Sequence, residues 1–204
     1  GDFERAFLPG RTAVGTPRDF GPLRLSLHRN GRHRPTLFSA VDAFASASVY
    51  LEGGNGVRLP CPSDGQAFRC PGGETRVAPE WHELKARPRR CLWFAPPGGN
   101  RRLVAEFPQV PAGARLVLEG GLIWDRGWHH GSQLTPTRFG VEDVRTGRSL
   151  LRVDVPVGVE GIQRAEVAPE GGGPLAVRIW SQADRAELRE LCLELLSQGP
   201  EGAP

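Results

Sequence analysis

The stretch Trp124-Asp125-Arg126-Gly127-Trp128-His129-His130-Gly131-Ser132-Gln133 is the most chemically unusual part of the chain. Its two indoles, Trp124 and Trp128, offer flat apolar faces on which a sugar ring can stack. Asp125, Arg126, His129, His130 and Gln133 offer donors and acceptors for hydroxyl groups. The stretch joins two β-rich runs, so it is expected to be a surface loop, and loops carried on a rigid scaffold are where binding residues concentrate. The competing reading is packing: Trp124 finishes a core strand, Trp128 covers the end of the fold and the polar side chains are solvated. An exposed Trp128 separates the two.

Other chemistry finds less support. Adjacent histidines in extended chain point to opposite faces, and the remaining histidines lie far along the sequence, so His129 and His130 do not suggest a metal site. No cofactor is expected. A structural calcium bound by loop carboxylates and carbonyls stays open, although no Asp-rich ladder points to it. The run His28-Arg29-Asn30-Gly31-Arg32-His33-Arg34 gathers cationic groups that could attract phosphates or acidic sugars. It lacks the interleaved aromatic platform of single-strand nucleic-acid binders, so it reads as a solvated turn, as do Arg87, Arg89 and Arg90. The carboxylates Glu106, Glu119, Asp125, Glu142 and Asp154 are scattered among β-rich runs, where alternation sends many of them to the solvent face. With no G-x-S-x-G elbow, Walker A loop, strand-to-helix G-x-G-x-x-G or H-E-x-x-H, no catalytic residue is assigned. Asn30, Asn55 and Asn100 each lack a following Ser or Thr at the glycosylation spacing.

Four cysteines remain, Cys61, Cys70, Cys91 and Cys192, with no C-x-x-C among them. Cys61 and Cys70 bound a short Pro- and Gly-containing loop whose turn can bring its ends together, which predicts a disulfide. Cys91 and Cys192 lie in apolar segments, and a bridge between them requires those segments to be neighbours. The alternative is buried free thiols.

These side chains must be positioned by a chain of 204 residues with 26 basic and 23 acidic groups, a net charge of +3. That length makes one large domain or two small ones. The charge is too small to argue for nucleic acid, and no apolar run approaches the ~20 residues of a membrane span. With 27 Gly and 19 Pro the sequence is too punctuated for a helical bundle, while 39% apolar residues supply a core. Lys85 is the only lysine, a bias that with abundant Gly, Pro and Ala suits a GC-rich bacterial gene. The absence of Met and the opening Gly1-Asp2-Phe3 lead us to expect an extracytoplasmic domain excised from a longer product.

The elements follow from alternation and turns. Leu23, Leu25 and Leu27 alternate with polar residues before Asn30-Gly31, and a second run reaches Leu37 and Phe38, which predicts a hairpin. The same pattern recurs at Ala47–Leu51 and Val57–Leu59 around Gly53-Gly54-Asn55-Gly56. Short β-rich runs then follow at 91–95, 103–107, 115–122, 138–144, 149–155, 162–167 and 175–181, separated by Pro/Gly turns. That spacing is the signature of a sandwich or barrel. In the last segment Leu188, Leu191, Cys192, Leu195 and Leu196 fit a helix, whereas Leu191, Leu193 and Leu195 alternate. The surrounding architecture favours a closing strand.

From Cys91 onward the sequence resembles a jelly roll of the galactose-binding-like kind, similar to carbohydrate-binding modules of bacterial secreted and membrane-anchored proteins. The resemblance rests on Phe107-Pro-Gln-Val-Pro-Ala-Gly-Ala-Arg-Leu116, on the glycine-rich strand end Leu118-Glu-Gly-Gly-Leu-Ile-Trp124, and on Gly173-Pro-Leu-Ala-Val-Arg-Ile-Trp-Ser181. It covers roughly half the chain with loose motifs. It implies that the first and last strands of the module lie side by side, which makes Cys91 and Cys192 neighbours.

The expected fold is therefore all-β: an N-terminal arm and hairpin over 1–36, a jelly-roll-like sandwich over 37–197 and a flexible tail over 198–204. The expected function is a non-catalytic extracytoplasmic module, secreted, periplasmic or carried by a membrane-anchored parent, that binds carbohydrate or cell-envelope glycan through Trp124, Asp125, Arg126, Trp128, His129, His130 and Gln133. The rival is a structural or protein-interaction domain of a larger envelope polypeptide, to be recognised by a large exposed apolar patch. A hydrolase would need two close acids in a deep cleft.

Overall fold

The computed structural model describes residues 11–13, 16, 18–20, 23–25, 28–30, 34–72, 75–84, 87–123, 136–156, 159, 161–171, 173–184 and 190–202. The chain divides into two compact units, one built from 1–35 with 199–204 and the other from 36–198.

Among the described residues the first unit holds four three-residue strands, β1 (Arg11–Ala13), β2 (Arg18–Phe20), β3 (Leu23–Leu25) and β4 (His28–Asn30). They pair as nested hairpins, β2 with β3 inside and β1 with β4 outside. The Pro35 carbonyl accepts the Gly199 N–H at 2.8 Å, and Arg34 forms an ion pair with Glu201 at 3.0 Å. The hairpin predicted across Asn30-Gly31 does not form, because β3 turns back onto β2 and the segment after Pro35 pairs elsewhere. Pro35 has no N–H to offer such a ladder.

The second unit is a sandwich of thirteen strands: β5 (Thr36–Ser39), β6 (Ser48–Glu52), β7 (Arg58–Pro60), β8 (Phe68–Arg69), β9 (Arg76–Leu84), β10 (Arg87–Phe94), β11 (Arg102–Val110), β12 (Arg115–Leu122), β13 (Thr137–Asp143), β14 (Ser149–Val155), β15 (Gln163–Val167), β16 (Leu175–Ala183) and β17 (Leu191–Gln198). One sheet has the order β15-β12-β17-β10-β9-β8, with β5 also paired to β17; the other has the order β14-β13-β16-β11-β6-β7. All these pairings are antiparallel. The jelly-roll-like all-β sandwich expected from the sequence is the fold observed, and the closing segment is the strand β17.

Alternation explains the layers. Leu116 and Leu118, Leu191, Leu193 and Leu195, and Leu92 and Phe94 point inward from the seven-stranded sheet. They meet Leu103, Ala105 and Phe107, Phe139 and Val141, and Val177 and Ile179 from the six-stranded sheet in one buried core. Truncating one of these leucines, Ile179 or one of the phenylalanines to Ala costs about 2–5 kcal/mol. Gly121 lies where a Cβ would strike the Gly161 carbonyl, so the glycine-rich end of β12 lets the β14–β15 connection pass close over it.

Both cysteine pairs are disulfides. Cys61 is bonded to Cys70, and Cys91 on β10 is bonded to Cys192 on β17. The second closes the larger loop, with a sequence separation of 101 residues, and links adjacent strands of the seven-stranded sheet. Beyond Cys91 the β9–β10 hairpin continues past the reach of β17. There Leu84 packs with Cys91 and Cys192, and Trp81 is left 70% exposed.

Candidate functional site

Residues on the outer face of the six-stranded sheet stand in three rows set by register. Tyr50, Val104, Trp180 and Gly140 lie opposite one another in the middle row. Glu106, Arg178 and Glu142 form the row on one side, while Arg58, Glu52 and Arg102, followed by Arg138 and Asp154, lie on the other. The middle row is a small apolar strip buried apart from the main core. Gly140 makes it possible: a Cβ there would come within 2.9 Å of the Trp180 ring.

Arginines roof this strip. The Arg102 guanidinium lies 4.4 Å from the Trp180 ring centroid and that of Arg58 lies 4.6 Å from the Tyr50 centroid. Arg178 runs between them and donates to Glu142 through Nε at 2.7 Å and to Glu52 through Nη1 at 3.1 Å. Arg102 donates to the other Glu142 oxygen at 2.9 Å, and Arg58 Nε donates to Glu52 at 3.3 Å. The Tyr50 hydroxyl donates to Glu106 at 3.0 Å. Burial, reinforced by the Glu106 carboxylate and opposed by Arg178 and Arg58, pushes the Tyr50 pKa up to about 12, so the phenol stays protonated. Burial opposes the Arg178 charge, yet the Tyr50 contact and the Glu142 and Glu52 carboxylates hold its pKa above the ordinary value. Both rings are thus covered by guanidinium groups, and the rigid surface presented to solvent is polar.

At one end of this face the network opens into a depression of about 510 Å³ lined by Glu52, Gly53, Gly54, Gly56, Asn100, Arg102 and Gln182. Glu52 and Gln182 come from the ends of β6 and β16, and Asn100 and Arg102 from the approach to and start of β11. The glycines belong to the β6–β7 turn. Gly56 has φ +78°, which favours glycine, and a Cβ on Gly54 would meet nothing closer than 3.7 Å. Glycine therefore keeps the rim low, and a carboxylate, a guanidinium and two amides converge above it. Planar polar groups of this kind pair with vicinal hydroxyls.

The site residues expected from sequence, Trp124, Asp125, Arg126, Trp128, His129, His130 and Gln133, all lie outside the described residues. Their anchors are described. β12 ends at Leu122 and β13 begins at Thr137, opposite Ala183 at the end of β16, so the connection leaves and re-enters the sandwich at the end that carries the depression. Sequence reasoning did not select Glu52, Asn100, Arg102 or Gln182. The Gly53–Gly56 turn is the sequence signal nearest to them, and its pattern speaks for a hairpin turn alone. Of the scattered carboxylates, Glu142 departs from the solvated expectation: its side chain is 9% exposed between Arg102 and Arg178. The Arg87, Arg89 and Arg90 run is not a solvated turn either. It opens β10, where Arg89 pairs with Glu119, itself also paired with Arg164, and Arg90 pairs with Asp42 at 2.6 Å. Among the described residues no cluster of three or more His, Cys, Asp or Glu could hold a metal ion, and no helix is long and apolar enough to cross a membrane.

No protein-family model and no curated protein matches the chain. Among solved structures it is similar to a xylan-binding module, CBM15, with 6% identity, a TM-score of 0.40 and coverage of 75% of this chain and 93% of that one. It is also similar to the enzymatically active domain of tailspike protein 4 of bacteriophage CBA120, with 9% identity and a TM-score of 0.36. That match covers 76% of this chain and 19% of the tailspike chain. Both likenesses are too distant to bear on what this chain binds.

Proposed function

We propose that this chain is a non-catalytic binding module for carbohydrate. The observation that carries the reading is the convergence of Glu52, Asn100, Arg102 and Gln182 over a glycine rim at the end of a rigid sheet. Four planar polar groups around an open depression suit a ligand dense in hydroxyls, and their anchorage in strands or next to them pre-organises them for it. Trp124 and Trp128, which lie outside the described residues, remain the side chains proposed from the sequence to stack on the sugar ring. Glu52 and Glu142 are both engaged by Arg178, which favours binding over a hydrolytic acid–base pair. The two disulfides support an extracytoplasmic location, as part of a larger envelope or secreted polypeptide.

The test is a glycan-array screen followed by calorimetry on each hit, with wild type, Asn100→Ala/Gln182→Ala and Trp128→Ala. Loss of about tenfold or more in affinity in the double variant is expected. Unchanged affinity in both variants removes the site assignment, and a clean negative on folded, disulfide-intact protein removes the carbohydrate reading. One observation favours a second reading, a protein-interaction domain: Trp81, 70% exposed on the β9–β10 hairpin, is the kind of anchor that dominates protein interfaces. That reading gains if Trp81→Ala abolishes a protein contact while glycan screens stay negative.

A further inference from the structure

We infer that the depression selects uncharged glycans over acidic ones, and that Glu142, which does not line it, is the positioning residue that enforces the choice. This rests on the carbohydrate reading above. Among the described residues two of the lining side chains are charged, Glu52 and Arg102. Neither is free. Glu52 receives Arg58 at 3.3 Å and Arg178 at 3.1 Å, with its side chain 14% exposed. Arg102 is held from below by the Trp180 ring and from the side by Glu142.

Glu142 is the junction. One oxygen takes Arg102 at 2.9 Å and the other takes Arg178 at 2.6 Å, and Arg178 passes on to Glu52. Glu52, Arg178, Glu142 and Arg102 therefore form an unbroken linear chain of two carboxylates and two guanidiniums. Arg58 and Glu106, 3.9 Å apart, extend it with one further charge of each sign. The next cation along the row, Arg138, lies beside Gln182 and faces Asp154 at 3.7 Å. Arg101 is exposed but is not a lining residue.

The consequence is that, among the described residues, neither charged side chain lining the depression is without a partner of opposite sign. A uronate or sulfate entering the depression would have to draw Arg102 off Glu142 and leave that half-enclosed carboxylate with one partner fewer; a cation would have to do the same to Glu52. Breaking one partner out of a shielded ion pair is expensive, whereas a pair of hydroxyls needs only the amides of Asn100 and Gln182 and the outward lone pairs and N–H groups that the network leaves over. Because both charged side chains that line the depression among the described residues already have partners of opposite charge, binding of a neutral glycan should release few counterions and depend little on salt.

The experiment uses the whole chain and matched polysaccharide pairs: galactan against polygalacturonate, and mannan against mannuronan, each titrated at about 0.02 and about 0.3 M NaCl. Wild type should prefer the neutral member by about tenfold or more, with a Kd that changes less than about twofold across the salt range. Glu142→Gln frees Arg102 and should move the neutral-to-acidic affinity ratio about tenfold toward the acid, with the new binding weakened by salt. If that variant fails to fold, Glu52→Gln removes the other acid of the same chain from the wall and should shift the ratio in the same direction. A wild-type preference for the acidic member, or a steep salt dependence for the neutral one, overturns the inference while leaving the carbohydrate reading intact. An unchanged ratio in the folded variants overturns the role of Glu142. Binding to neither member of any pair, with the glycan screen also negative, overturns the carbohydrate reading and this inference with it.

Discussion

Neutralising Glu194 should make the sandwich more stable at alkaline pH than at present. Glu194 projects from β17 under the turn that follows β5, where Ser39 Oγ donates to it at 3.0 Å. Burial pushes its pKa up from 4.5 to about 7; the Ser39 and backbone hydrogen bonds of Val41 and Ala40 pull the other way, and the Asp42 charge adds to the rise. Glu119 stands directly opposite on β12. In the unfolded chain the same carboxyl ionises near its ordinary value. Below that value both states hold the proton and the group costs nothing. As pH rises toward 7 the unfolded state releases its proton first, so stability falls progressively and levels off above the folded value. The total loss is about 3 kcal/mol, or roughly 10 °C in Tm for a unit of this size. Thermal melts of wild type and Glu194→Gln from acid to mildly alkaline buffer, with disulfides intact, read this directly. Wild-type Tm should drop between about pH 4.5 and 7 relative to the variant, and the variant should be the more stable above pH 7. Parallel curves across that window refute the reasoning, because every other titrating group is common to both proteins.

Two further outcomes test the fold. Replacing Cys91 and Cys192 with Ser should cost about 4–5 kcal/mol, since their bridge spans 101 residues, against about 2.5 kcal/mol for Cys61 and Cys70 with a separation of 9; denaturant midpoints of the two double variants rank them. Gly140→Val should cost about 1–3 kcal/mol and disturb the near-ultraviolet dichroism of Trp180, because its Cβ would stand 2.6 Å from the Leu151 carbonyl oxygen and 2.9 Å from the indole.

The strands that sequence made legible are those whose alternation is clean and whose ends are marked by Pro or Gly, namely β6 with β7 and β11 through β17. β9 escaped because Pro79, Glu80 and His82 interrupt its apolar pattern. The start of β10 escaped because three arginines there look solvated until β12 brings Glu119 to Arg89. Local signals also put a hairpin at Asn30-Gly31, where β3 pairs instead with the adjacent β2, β4 with β1 and β5 with the distant β17. The site was less legible than the fold for one physical reason. Glu52 and Arg178 are 126 positions apart, and only strand register across β6, β11 and β16 sets them 3.1 Å from each other. The disulfide between Cys61 and Cys70 was readable locally, whereas that between Cys91 and Cys192 needed the expectation that the module's first and last strands are neighbours.

The placement of β17 has a consequence for how the protein is made. It is the last strand of the sandwich in sequence order, yet it lies inside the seven-stranded sheet, paired along its whole length with β12 on one side and with β10 and β5 in tandem on the other. Until the ribosome has delivered those residues, β12 and β10 have no strand between them, and Leu116 and Leu118 are separated from Leu92 and Phe94 by the gap that Leu191, Leu193 and Leu195 fill. The seven-stranded sheet therefore closes only when β17 is inserted, and the Cys91–Cys192 bridge, 101 residues apart, joins the two strands brought together by that step.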